Sequence, residues 1–138
     1  MARDCILKVS GGVENEFSIS LLSQIALNQW KMGSYTDSIG SYEKAVQENM
    51  NLFGENNAGT AAIFNRLGLV FLSAGDTEAA QDSFKKALDI SLRIYGEEND
   101  LTASIHNNLG MLYRKNSDYG ASLKEYEKAL EFNSSFAP

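Results

Sequence analysis

The sequence has one cysteine, one proline and one histidine among its 138 residues. A single cysteine, Cys5, excludes an internal disulfide and any metal site built from several thiolates. The one proline is Pro138, so the rest of the chain lacks the residue that breaks helices most strongly. These absences favour a helical protein of a reducing compartment, with no disulfide framework.

Basic clusters and long apolar runs are also missing. The net charge is −6, and the longest basic runs are two pairs, Lys85 with Lys86 and Arg114 with Lys115. Nucleic-acid binders need larger clusters of cations to neutralise phosphates. No stretch approaches the roughly 18 uninterrupted apolar residues of a membrane span, and the N-terminal apolar run is too short for a signal peptide. We therefore expect a soluble, cytoplasmic protein that neither binds nucleic acid nor inserts into membranes.

What the sequence does contain is an internal repeat. Two similar segments, LFGENNAGT and IYGEENDLT, place Gly54 and Gly96 at a distance of 42 residues. Aligning the chain with itself at this distance produces further columns of similar residues. They are Tyr42, Phe84 and Tyr126; Ala45, Ala87 and Ala129; Tyr35, Thr77 and Tyr119; and Gly33 and Gly75, interrupted by Ser117.

Each unit has the pattern of two helices. Residues 60–75 carry apolar side chains at three- and four-residue spacing, typical of an amphipathic helix that ends at Gly75. Asp76 then offers a cap for a second helix, which Gly96 ends. Glycine at 68 and 110, inside the first helices, indicates that another helix backbone passes close by, with the aromatic residues of the second helices beside it.

The order of aromatic and small residues resembles the tetratricopeptide repeat. The second unit carries it most fully, at Phe64, Leu67, Gly68, Phe71, Ala80, Phe84 and Ala87. The third unit departs at His106 and Ser122, and the first is the most degenerate. The usual period is about 34 residues, and the longer period with its Gly-Glu connector is similar to the repeats of kinesin light chains.

This resemblance implies an all-α fold, a right-handed superhelical solenoid of three helix-turn-helix hairpins. The expected division is an N-terminal segment at 1–14, repeats at 15–54 and 55–96, and a third repeat with a short C-terminal tail at 97–138. A worn third copy of the connector, SGGVENEFS at 10–18, predicts that Gly12 ends a half-repeat helix and that Asn15 caps the next one.

The connectors and the single histidine are the residues that could carry chemistry. GEEND at 96–100 offers three carboxylates but lacks the alternating ligands of a calcium loop, so Gly54 and Gly96 are interpreted as helix stops, with Asn57 and Asn99 as caps. His106 is expected to be a satisfied, partly buried side chain, and Cys5 an unremarkable thiol. We find no catalytic constellation, predict no enzyme activity and expect no metal or cofactor.

The candidate binding residues lie on the first helix of each hairpin, because the resemblance implies that these helices line the concave face. The predicted peptide-binding residues are Ser23, Gln24, Leu27, Trp30, Asn65, Arg66, Leu69, Asn107, Asn108, Met111 and Arg114. Amide side chains both donate and accept, so they can bond the backbone of an extended peptide, and apolar neighbours can supply pockets. The resemblance implies that role for Asn65, Asn107 and Asn108. The alternative is a solvated helix face.

The sequence thus predicts an adaptor or scaffold that binds a protein or peptide partner. The carboxylate clamp that some members of this family use for chaperone tails is disfavoured, because its lysines are missing. Phe132 and Phe136 near the C-terminus indicate an uncapped apolar end, as does DCILKVSGG at the N-terminus. A homo-oligomer, a structural subunit of a larger complex and a regulatory segment of a longer protein all stay open.

Overall fold

The computed structural model describes the backbone of residues 2–135 and the side chains of residues 16–131. Within these ranges the chain forms six α-helices and no strand. They are α1 (Ala2–Lys31), α2 (Tyr35–Phe53), α3 (Ala58–Ala74), α4 (Thr77–Tyr95), α5 (Asp100–Lys115) and α6 (Tyr119–Ser135). The helices pair as α1 with α2, α3 with α4 and α5 with α6, and α2 packs on α3 as α4 packs on α5. The predicted all-α solenoid of three hairpins is confirmed.

Helix α1 departs from the prediction. It is 30 residues long, whereas α3 has 17 and α5 has 16, and it runs without a break through 10–18, so the predicted stop at Gly12 is wrong. In the two real connectors a polar residue of the preceding helix binds the connector, and the position equivalent to it before Gly12 is Leu7, which has no polar group. The side chains of Cys5 and Asn15, and those of Phe132 and Phe136, lie outside the described residues. The repeat boundaries stay a prediction.

The connectors between hairpins depend on glycine. Gly54 has φ 88° and ψ 173°, and Gly96 has φ 77° and ψ −166°, a region of backbone space open essentially to glycine alone. The side-chain oxygens of Asn57 and Asn99 accept hydrogen bonds of 2.8 Å from backbone N–H groups in the first turns of α3 and α5. The predicted stops and caps are confirmed.

Buried hydroxyl groups bind each connector to the helix before it. The Thr102 hydroxyl bonds the carbonyl of Gly96 at 2.9 Å and the Ser91 hydroxyl at 2.7 Å. At the preceding connector Thr60 bonds the glycine carbonyl at 3.3 Å and accepts from the Asn49 amide at 2.8 Å. Because these groups are buried, losing a partner would leave a polar atom without a hydrogen bond. The stacking angle of successive hairpins is therefore fixed by polar contacts as well as by apolar packing.

The positive-φ residues follow the repeat along the described chain. They are Gly33, Gly54, Gly75, Gly96 and Ser117, each 21 residues from the next. Ser117 is the single non-glycine residue among them, with φ 63°. Its Cβ makes this left-handed conformation unfavourable by about 1–2 kcal/mol. Ser117, which interrupts the glycine column of the sequence, therefore adopts the same positive-φ backbone conformation as Gly33 and Gly75.

The glycines inside the first helices α3 and α5, Gly68 and Gly110, each lie under an aromatic ring. A Cβ on Gly68 would lie 2.5 Å from two ring carbons of Phe84, and one on Gly110 would lie 2.8 Å from two ring carbons of Tyr126. The small residue therefore admits a side chain of the second helix, which corrects the expectation of a close backbone. In the first and third hairpins a buried serine on the second helix, Ser38 or Ser122, donates a 2.7 Å bond to a first-helix carbonyl.

Candidate functional site

The first helices are separated by two neighbouring clefts. The cleft between α1 and α3, about 380 Å³ in volume, is lined by four of the predicted residues: Ser23, Gln24, Leu27 and Arg66. The cleft between α3 and α5, about 440 Å³, is lined by four more: Trp30, Leu69, Met111 and Arg114. Both volumes fall in the range of about 300–1,000 Å³ that is usual for binding sites. Eight of the eleven predicted residues thus meet in two clefts.

The α3/α5 cleft is held by polar contacts at its rim. The indole N–H of Trp30 donates to the Ser73 hydroxyl at 3.0 Å, which attaches α1 to the end of α3. The ammonium group of Lys115 donates to the backbone carbonyl of Leu72 at 3.3 Å, which attaches α5 to the same end. Trp30 therefore has a fixed orientation, with its apolar ring surface in the cleft lining.

The three predicted asparagines do not form one ladder. Asn65 and Asn108 are buried, and the Asn108 amide donates to the Asn65 side-chain oxygen at 2.8 Å, joining α3 to α5. Asn107 is exposed and approaches the sulfur of Met111 at 3.9 Å. In the 42-residue alignment Asn65 is equivalent to Asn107, but its partner in the structure is Asn108. The alignment therefore does not predict this hydrogen bond, because the two bonded residues occupy different positions of the repeat.

The charge of the two clefts differs from that of the whole chain. Among the described residues, their linings contain Arg66, Arg114 and Lys115 and no carboxylate, although the net charge of the protein is −6. A third cleft, of about 400 Å³ between α2 and α4, includes two carboxylates, Glu43 and Asp82, and one cation, Lys86. The clefts between first helices therefore attract a negatively charged ligand more than this third cleft does.

Arg66, which lines the α1/α3 cleft, also lies near the buried side chain of Tyr42. The Tyr42 side chain is fully buried, and its hydroxyl makes no hydrogen bond of standard geometry to the described residues. Burial raises the pKa of Tyr42 above its ordinary value, and the nearby Arg66 guanidinium opposes part of that rise. The tyrosine stays neutral, so the charge of Arg66 is not cancelled by a phenolate.

His106 is satisfied within the fold, as predicted, but it is more deeply buried than the partly buried side chain that was expected. It is buried, with Nδ1 at 2.8 Å from a Glu125 oxygen and Nε2 at 3.2 Å from a Glu97 oxygen. Both nitrogens are occupied by structural partners, which argues against a role for His106 as a general base.

The described residues contain no group of three or more histidine, cysteine, aspartate or glutamate side chains placed to hold a metal ion. None of their helices is both long and apolar enough to cross a membrane.

Several lining residues were missed by sequence reasoning. In the α1/α3 cleft they are Ile19, Ser20, Asn49, Gly59, Ala62 and Ile63. Ser20 and Ala62 lie one helical turn before predicted residues and could have been found by extending the same columns. Asn49 belongs to α2, a second helix, so counting along first helices could not identify it. Leu72, Ser73 and Lys115 complete the α3/α5 cleft.

Comparison with known proteins identifies the family. A family profile for the tetratricopeptide repeat matches residues 17–93 and 78–135. The two matches overlap and together span most of the chain. The protein therefore belongs to the tetratricopeptide repeat family, and the family predicted from the repeat is confirmed.

The solved structures that share this fold include BtubC and MamA. BtubC (BKLC) from P. vanneervenii superposes with a TM-score of 0.80 at 26% sequence identity, over 86% of this chain and 47% of that one. The chain thus spans about half the length of BtubC, a kinesin light chain-like protein, in agreement with the 42-residue variety of repeat. MamA superposes with a TM-score of 0.51 at 17% identity, over 96% of this chain and 85% of MamA, a likeness of fold alone. No curated protein sequence matches the chain.

Proposed function

We propose that this protein is a non-enzymatic adaptor that binds an extended peptide segment across the α1/α3 and α3/α5 clefts. Tetratricopeptide repeat folds in general mediate protein–protein interactions, which supports the class of function. The observation that carries the finer proposal is the lining of the two clefts, which combines apolar side chains with three cations and, among the described residues, no carboxylate.

The chemistry of the clefts selects the kind of peptide. Trp30, Leu69 and Met111 offer an apolar surface for a large side chain of the ligand. Arg66 and Arg114 are exposed, and arginine binds carboxylates in a bidentate manner. The favoured ligand is therefore a segment in which an apolar or aromatic residue is followed or preceded by aspartate or glutamate.

The asparagines contribute to this proposal in two ways. Asn107 is exposed beside Met111, so its amide can bond the backbone of a peptide in the α3/α5 cleft. Asn65 and Asn108 use one atom each in their mutual bond. The other polar atom of each amide is the one we assign to a peptide backbone, which ties ligand binding to the α3–α5 contact.

Peptide arrays with charge-reversed variants test the proposal. Synthetic 12-residue peptides would combine phenylalanine or leucine with either acidic or lysine flanks, and affinity would be followed by the fluorescence of Trp30, the one tryptophan of the chain. We expect the acidic series to bind, and Arg66→Glu or Arg114→Glu to weaken binding at least about tenfold, because each change replaces attraction by repulsion.

Lys44→Glu is the matched control, since Lys44 is exposed on α2 outside both clefts and undergoes the same change of charge. Its affinity should stay within about twofold of the wild-type value. Equal loss in all three variants would show only a long-range effect of net charge. Equal binding of the acidic and lysine-flanked peptides would refute the proposed ligand.

A further inference from the structure

The outer face of α1 carries an apolar stripe that nothing in the described structure covers. Phe17, Leu21 and Ile25 are exposed and recur at four-residue spacing, so they lie on one side of the helix. Three large apolar side chains in a row on an exposed helix face are unusual, because scattered single ones are the rule. We call this surface the head face.

The repeat shows what such a face contacts. The residues equivalent to Ile25 in the second and third hairpins are Leu67 and Leu109. Ile25 is 46% exposed, whereas Leu67 and Leu109 are 4% and 2% exposed. Inside the array, α2 packs on α3 and α4 packs on α5, so a preceding hairpin is present for both of these positions. On the head face of α1, Ile25 therefore occupies an interface position that no hairpin of the described structure covers.

The outer face of α6 is the complementary case. Tyr119, Leu123 and Leu130 are exposed on the last helix, a surface that we call the tail face. Leu130 is 61% exposed, and its equivalent in α2, Val46, is 7% exposed. Val46 shares a cleft lining with Leu67 of the following hairpin. In Leu130, the tail face therefore carries the equivalent of a residue that meets the next hairpin in the first repeat.

We propose that two copies of this chain associate head to tail, with α6 of one copy on α1 of the next. The contact would repeat the α2–α3 interface, so Leu130 would take the place of Val46 and Ile25 of the second copy that of Leu67. A second copy is favoured because both halves of the contact are present in one chain, at equivalent positions of the same repeat. The proposal uses neither cleft and is independent of the peptide ligand.

Such an interface joins two different faces and does not close on itself. Each added copy leaves a new head and a new tail exposed, so association continues into linear oligomers whose mean length grows with concentration. A symmetric dimer, through two head faces or two tail faces, would stop at two copies. The dependence of mass on concentration separates the two arrangements.

Complementation between two variants provides the decisive test. Ile25→Lys blocks the head face, and Leu130→Lys blocks the tail face, while each variant keeps the other face intact. By sedimentation velocity at about 5–500 µM, we expect the wild-type mass to rise beyond a dimer and each variant alone to stay monomeric. An equimolar mixture should form a dimer and stop there, since both outer ends are blocked.

Control variants distinguish a loss of the head-to-tail contact from misfolding and from a general loss of surface hydrophobicity. Met32→Lys is the matched control, because Met32 is 77% exposed and its equivalents Ala74 and Asn116 are exposed as well. This variant should associate like the wild type. Phe17→Lys is a second variant of the head face. Phe17 is 61% exposed, more than Ile25, so its replacement disturbs the core less. Far-UV circular dichroism of every variant should match the wild-type spectrum.

Three results would overturn the proposal. They are a wild-type protein that stays monomeric over the whole concentration range, a head or tail variant that associates as well as Met32→Lys, and a mixture of folded head and tail variants that forms no dimer. Association of one single variant into a dimer would instead identify a symmetric contact through its intact face.

Discussion

Replacing Gly68 by alanine tests the contact between the glycine and the Phe84 ring. The new Cβ would lie 2.5 Å from two ring carbons and 2.9 Å from a third, whereas carbon atoms pack at about 3.5–4.0 Å. The ring would have to move by roughly 1 Å within a fully buried site, and overpacking of this kind typically costs about 1–3 kcal/mol. Alanine gains back about 1 kcal/mol of helix propensity. We expect a net loss of about 1 kcal/mol in the free energy of unfolding.

A second background isolates the ring. In Phe84→Leu, which is itself destabilised by the smaller side chain, the alanine Cβ has room, and Gly68→Ala should now stabilise the protein by up to about 1 kcal/mol. The sign of the effect of Gly68→Ala is thus expected to reverse between the two backgrounds. Their difference is the coupling energy of the pair.

Urea unfolding followed by circular dichroism measures all four proteins, with midpoints compared at unchanged slope. Gly110→Ala provides a graded control. Its nearest ring atoms in Tyr126 are at 2.8 Å, and that ring is half-buried and freer to move. The loss should therefore be smaller than at Gly68. If Gly68→Ala raised the midpoint equally in both backgrounds, the ring contact would have no energetic role and the reasoning would be refuted.

Three other positions give predictions, two from backbone strain and one from burial. Ser117→Gly should raise the free energy of unfolding by about 0.5 kcal/mol, because relief of the left-handed strain exceeds the added entropy of the unfolded chain. Gly75→Ser should lower it by about 1 kcal/mol, and urea midpoints that move the other way would contradict both. Tyr42→Phe should change stability by less than about 1 kcal/mol at pH 7, since the hydroxyl has no standard hydrogen bond to the described residues. The folded-state pKa of Tyr42 is raised above its ordinary value of 10.0. The contribution of Tyr42 to the free energy of unfolding is therefore fully present below pH 10 and is lost as the pH rises above it. A thermal-melting series at pH 8–11 should show a smaller fall for Tyr42→Phe than for the wild type, and the exposed control Tyr119→Phe should behave like the wild type.

The fold could be predicted because its periodic signals are local. Glycines and caps at fixed spacing determine where helices end, and the aromatic and small residues between them determine which faces meet. The predicted helix end at Gly12 is wrong because glycine alone does not end a helix. Gly54 and Gly96 end theirs together with a capping asparagine and a buried hydroxyl network that includes Ser91 and Thr102. That network forms only when a preceding helix supplies a polar partner.

The candidate site could be predicted less fully. Counting along first helices found most of the cleft residues, since side chains at equivalent positions of stacked helices share a face. It could not find the bond between Asn65 and Asn108, which lie 43 residues apart and therefore in different columns. Stacked hairpins are displaced along their axes, and a displacement of one residue is invisible to an alignment at the exact repeat length.

The even spacing of the positive-φ residues has a consequence for how such a chain can change in length. A helix and its turn occupy 21 residues at each step from Gly33 to Ser117. One residue inserted inside a helix would rotate the later side chains of that helix by about 100° around its axis. Insertion of a duplicated 42-residue unit, in contrast, would return each cap, buried hydroxyl and aromatic ring to an equivalent partner. We therefore expect the array to gain or lose whole hairpins of 42 residues. Duplication of such a unit preserves the interfaces between hairpins.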